Sequence, residues 1–187
     1  MNSGRSMSVA RHLSSVGWGT LRLEQRIVIS KKLTSMLTEQ VGYEFGASQF
    51  YLAGAAYFGR MGLDKWKQIF SEQSDEERMH ARKIVDFLVD VGVEFDLPSV
   101  PPAKTKFKSP LDAVKAALAN EQKVTKQFND MAAAAISEKD FTSFQFLQWF
   151  IQEQVEEEAK MGKLVQIVGS GTDLYQQEDV GEEECEG

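Results

Sequence analysis

Apolar residues recur every three to four positions over four long stretches of this chain, the period of a helix with one buried face. The first stretch, about 29–60, places Leu33, Leu37, Val41, Ser48, Tyr51, Ala55 and Phe58 on one stripe and stops at Gly62. The second, about 64–91, carries Trp66, Ile69, Phe70, Ile84, Leu88 and Val91, with Asp64 as its expected cap and Gly92 as its stop. The third, about 110–136, opens on Pro110, a favourable first-turn position for proline, and carries Leu111, Val114, Leu118, Thr125, Phe128 and Met131. The fourth, about 140–168, follows a tight SEKD turn and carries Phe144, Leu147, Phe150, Met161, Leu164 and Val168, with Gly169 and Gly171 ending it. The links are short, long, short. The long one, 93–109, contains Pro98, Pro101 and Pro102, and at ~3.3 Å per residue it can run the length of a bundle. The pattern predicts an all-α four-helix bundle with one long crossover between the second and third helices, which then run parallel.

Every stripe is broken at mid-length by a polar residue. Glu44 interrupts the first, Glu77 and His80 the second, Glu121 the third, and Gln154 with Glu157 the fourth. The helices are centred near 44, 77, 123 and 154, so in a bundle these groups share one height whichever way each helix points. The stretch SDEERMHARK, 74–83, shows the point locally: Glu77 and His80 are three apart and fall on the apolar face, with Asp75, Arg78 and Arg82 outside.

Energetics narrows the reading. A buried charge without a partner costs several kcal/mol. Four facing carboxylates repel one another, which raises their pKa values. No lysine or arginine stands on these stripes at that height, so a metal is the expected compensation. Glu-x-x-His with single glutamates from other helices is an arrangement that holds two metal ions in a bundle core. Oxygen-rich ligation with one imidazole suits iron, manganese or zinc better than copper. Beside this cluster, Glu153, Glu156 and Glu157 share a flank of the fourth helix and Glu76 adjoins Glu77. They are either solvated charge at the edge of the core or a third, looser cation site. Tyr51, two turns past Glu44, is either a core aromatic with a partnered hydroxyl or a donor to the metal site. Trp149 reads as packing, and His12 has no motif around it.

Composition changes the picture mainly at the ends. Of 187 residues, 42% are hydrophobic and 26% charged, consistent with one globular domain. The net charge of −7 is concentrated in 178–186, which holds six carboxylates; the remainder carries 22 acids against 21 bases. With no basic face, nucleic-acid binding is not expected. No apolar run reaches the roughly 18 residues of a membrane span. The single cysteine, Cys185, excludes an intrachain disulfide and a CxxC metal knuckle. Residues 1–23 hold three arginines, five serines and no acid. That composition fits an organelle transit peptide, a basic extension, or a start at Met7. The expected layout is an extension, 1–27, a bundle, 28–172, and an acidic tail, 173–187. The expected location is the cytoplasm, or a plastid or mitochondrion if the extension is a transit peptide.

Motifs from all four helices recur in order: EQxxxE (Glu39, Gln40, Glu44), DEERMH (75–80), NEQ (120–122) and FLQWFIQEQVEEE (146–158). Over about 28–177 the chain resembles bacterial-type non-haem ferritin. The resemblance implies a ferritin-like bundle with a di-iron ferroxidase centre, in a hollow shell, usually of 24 subunits, that stores ferric oxide mineral. It implies a first iron held by Glu44, Glu77 and His80, and a second held by Glu77, Glu121 and Glu157, with Gln154 nearby and Glu77 bridging. It further implies a third site from Glu76, Glu153, Glu156 and Glu157, with Tyr51 beside the centre. Fe(II) would be the substrate and dioxygen or hydrogen peroxide the oxidant. Haem is not expected, because Arg78 follows the motif glutamate where bacterioferritins carry the haem methionine. The chain departs from the family pattern in its long N-terminal extension and in a fifth helix that is short or absent. Two rival readings remain: a di-iron or di-manganese oxidase or peroxidase of the same superfamily, and a shell subunit without catalysis.

Overall fold

The computed structural model describes residues 29–177. Its elements are α1 (Lys31–Arg60), α2 (Asp64–Asp90), α3 (Pro110–Ser137), α4 (Phe141–Gly169) and a single 3-10 turn (Tyr175–Gln177). The expected all-α bundle is observed. The extension 1–27, with its transit-peptide reading, and the acidic segment 178–186 lie outside the described residues. None of the described helices is long and apolar enough to cross a membrane.

Local chemistry accounts for the helix ends. Ser30, Ser109 and Asp140 each accept a hydrogen bond from the backbone N–H three residues on, which satisfies a donor that the helix itself leaves free. Asp64 is not the cap expected of it. Leu63 holds that position without a side-chain bond, and Asp64 stands in the first turn, where its charge complements the helix dipole. Gly169 is likewise the last residue of α4, and the left-handed residue that turns the chain away is Gly171, at φ 77°. In the α3–α4 turn the left-handed position falls to Lys139, at φ 57°.

The core has two apolar halves. One gathers Leu33, Leu37, Ile84, Leu88, Phe128 and Phe150. The other gathers Tyr51, Phe58, Trp66, Phe70, Val114 and Met161. The first half precedes the second along α1 and α4 and follows it along α2 and α3, so α2 and α3 are parallel. The crossover therefore has to travel from one end of the bundle to the other: Val93 and Phe95 pack on the first half, Ala103 and Phe107 on the second. On its way it lies against α1. A Cβ on Gly42 would come within 3.1 Å of Pro98 and of the Ser99 carbonyl. Between the two halves runs a buried polar belt of Gln40, Glu44, Ser48, Gln73, Ser74, Glu77, His80, Glu121, Gln154 and Glu157.

α1 and α2 approach closely at Gly54, where a Cβ would fall 2.3 Å from the buried Phe70 ring. Gly54→Ala should therefore lower stability by about 1–3 kcal/mol through overpacking, although alanine is the better helix former by about 1 kcal/mol. Gly162→Ala in α4, with nothing within 4 Å of the new Cβ, should instead raise it. Thermal midpoints of the variants check both; a stabilised Gly54→Ala protein would contradict the packing described.

Candidate metal centre

Four helices deliver the belt, and each presents its polar residues because the 3.6-residue period that points its apolar neighbours inward points these inward too. Glu44 on α1 is fully buried; its Oε1 accepts from Gln40 Nε2 at 2.8 Å. Glu77 on α2 is 1% exposed, and its Oε2 lies 3.5 Å from His80 Nδ1. Potential ligand atoms of Glu44, Glu77 and His80 all lie within 4.8 Å of one another, the one such group among the described residues. Glu121 on α3 accepts a hydrogen bond from the Tyr51 hydroxyl. Gln154 on α4 accepts from Thr125 Oγ1 at 3.0 Å, and Glu157 accepts from Gln73 Nε2 at 2.7 Å. His80 is held edge-on by Trp149 and Phe150, with centroids 5.5 and 5.8 Å away, so Trp149 packs the imidazole in place.

Among the described residues, the buried side-chain oxygens with no hydrogen-bond partner are Thr38 Oγ1, Glu44 Oε2, Glu77 Oε1 and Glu121 Oε2. Buried polar atoms are nearly always partnered, so three orphaned carboxylate oxygens from three helices form a strong exception. Hard oxygen donors beside one imidazole are the chemistry that iron, manganese or zinc accepts. Burial raises the Glu44 pKa well above its ordinary value, with Glu77 adding to the rise. Burial likewise raises Glu77, reinforced by Glu121. Glu121 is pushed up to about 8, by burial first, against the opposing hydrogen bond from Tyr51. Glu157 is raised by burial and held back by the charge of Lys160. Tyr51 is raised by burial and by Glu121, so its hydroxyl keeps its proton.

The outer acids stand differently. Glu76 is half-buried and pairs with Lys160 Nζ at 3.1 Å. Glu153 is half-buried and Glu156 exposed. The stripes indeed lack a base at this height, yet Lys160 reaches the belt from its flank, which the stripe pattern does not reveal. Its place three residues after Glu157 was the available signal. Gln40, though part of a recognised motif, gains its role as a partner of Glu44 only in three dimensions.

Fold and belt together define a four-helix protein built around a buried, carboxylate-rich cluster with the chemistry to hold metal ions. The ferritin-like domain family matches residues 34–168. The bacterial non-heme ferritin of Staphylococcus haemolyticus is 39% identical over 132 residues, which is 71% of this chain and 80% of that protein. Ferritin BfrB of Mycolicibacterium smegmatis is 39% identical over 152 residues, 81% and 84% of the two chains. Among solved structures, an open pore ferritin from Archaeoglobus fulgidus superposes with a TM-score of 0.76 at 34% identity, covering 81% of this chain and 97% of that one. The chain belongs to the ferritin family of iron-storage proteins.

The raised carboxyls bind protons more tightly in the folded chain than in the unfolded one. Their contribution to stability is therefore present below the ordinary value of 4.5 and is lost as pH rises toward 8. Metal-free protein should lose stability between those limits. Glu121→Gln removes one such group and should flatten the fall, by on the order of a few kcal/mol. Thermal melts of both proteins from pH 5 to 8, with chelator present, test this; parallel profiles would refute it.

Proposed function

We propose that this chain is a ferroxidase subunit: it oxidises Fe(II) within the bundle and passes the ferric product to a mineral stored in a shell of its own copies. The observation that carries the reading is the set of orphaned oxygens on Glu44, Glu77 and Glu121, gathered with His80 at one height.

In this reading Glu44, Glu77 and His80 hold one ferrous ion. Glu77, Glu121 and Glu157 hold a second, with Gln154 beside them and Glu77 shared. Glu76, Glu153, Glu156 and Glu157 form an outer site. The work of the protein is electrostatic. Anionic oxygens stabilise the ferric state over the ferrous, and the apolar halves on either side keep the ligands from collapsing onto water. As Fe(II) enters, the raised carboxyls release their protons. Two ferrous ions give one electron each, and dioxygen takes both electrons with two protons to leave as hydrogen peroxide. Where hydrogen peroxide is the oxidant, the same two electrons and two protons yield two waters. Tyr51 keeps its hydroxyl on Glu121 and fixes the direction of that carboxylate.

Assembly into a shell is supported by the ferritin relatives and by apolar side chains that a lone chain leaves exposed, Leu52 and Val155 among them. A 24-subunit particle of the 21.0 kDa chain would have a mass of about 500 kDa.

Loading Fe(II) anaerobically and then admitting oxygen should produce the ferric absorbance rapidly in wild type. Glu77→Ala should slow it by at least about tenfold, since it removes the shared ligand. An unchanged rate in Glu77→Ala would sink the site assignment, and light scattering that found a monomer or dimer would sink the shell.

A further inference from the structure

Lys160 is the basic group that the stripe pattern of this chain does not foresee. Its ammonium donates to Gln73 Oε1 at 2.6 Å and to Glu76 Oε2 at 3.1 Å. The other end of the Gln73 amide donates to Glu157 Oε2 at 2.7 Å. The direction of this chain of bonds is chemically forced. An ammonium can only donate and a carboxylate can only accept, so the amide must turn its oxygen to Lys160 and its nitrogen to Glu157. Gln73 is fully buried, whereas the Lys160 and Glu76 side chains are 37% and 42% exposed. The row thus runs from the solvent edge of the belt to one of its inner carboxylates.

Resting on the metal-centre reading above, we infer that Lys160 is a tethered cation that competes with a divalent ion for the outer carboxylates and so weakens their hold on it. Three features argue for it. The ammonium already pairs with Glu76, so an incoming ion must displace it or share its charge. Its second bond, through Gln73, couples its position to Glu157, the residue common to the inner and outer sites. Its stem is flexible and its head partly exposed, so it can swing into water without leaving a buried charge unpaired. A neutral side chain at this position would lack that combination. Lys160 is therefore an affinity-determining residue, acting through Glu76 and Gln73 and not as a ligand itself.

The test uses the assembled, metal-free protein and Zn2+, which binds without oxidation. Calorimetric titration at pH 7 in 0.15 M salt counts ions per subunit in wild type, K160Q, K160R and the double variant E76Q/K160Q. Sites elsewhere on the chain contribute equally to all four proteins, so the differences carry the result. K160Q should bind a third ion on the order of tenfold tighter than wild type, the first two moving far less. K160R should keep the weak third site, because it keeps the charge. E76Q in the K160Q background should abolish the gain, because Glu76 is the outer carboxylate for which the lysine and the ion compete. An unmoved third ion in K160Q, with the first two intact, would overturn the role of Lys160 alone. So would K160R behaving like K160Q, since the effect would then be one of packing. A wild type that binds no ion tightly would overturn the metal centre as well.

Discussion

Everything in this structure answers to one constraint: four carboxylates and an imidazole lie in the middle of a bundle core. Burial raises the pKa of Glu44, Glu77, Glu121 and Glu157, and most of them raise one another further. Left alone, such a cluster either holds protons it would not hold in water or draws in a cation. Both responses keep net charge out of the interior, and an iron-storage protein can use the exchange between them. The neutral hydrogen-bond partners, Gln40, Gln73 and Tyr51, each engage one carboxylate oxygen. On Glu44 and Glu121 the second oxygen has no partner, and on Glu77 one oxygen is equally free.

The bundle is arranged to afford that interior without losing its own stability. Two apolar halves flank the belt, so each helix buries hydrophobic side chains both before and after its polar residues. The up-down-down-up order requires the crossover to run along the outside, and Gly42 lets it lie close to α1. Larger residues there would hold the crossover off the helix. Trp149 and Phe150 then pack the His80 ring edge-on, so the imidazole presents its nitrogens in a set direction.

Much of this could be read in the chain itself. The helical period located α1, α2, α3 and α4 to within two residues, because each repeats its apolar positions long enough to outweigh local exceptions. Boundaries were less legible where backbone conformation decides. Asp64 has the chemistry of a cap and is not one, and Gly171, not Gly169, takes the left-handed conformation. The polar interruptions were visible for the same reason as the stripes, since period alone says which face a residue occupies. The outer acids were harder: Glu76, Glu153 and Glu156 sit at the margin of that face, where a small rotation of the helix separates buried from wet.

The sequence by itself therefore determined the number, length and inward faces of the helices, and with them the height and chemical type of the candidate metal centre. Those are properties of single helices, encoded by spacing along the chain. Tertiary structure decided which atoms meet across helices: Tyr51 on Glu121, Gln73 on Glu157, and Lys160 reaching both Gln73 and Glu76. Such contacts join residues 70 to 87 positions apart and depend on the rotation of one helix against its neighbour. A period fixes a face, but the reach of a flexible lysine from the flank of that face has no period to betray it.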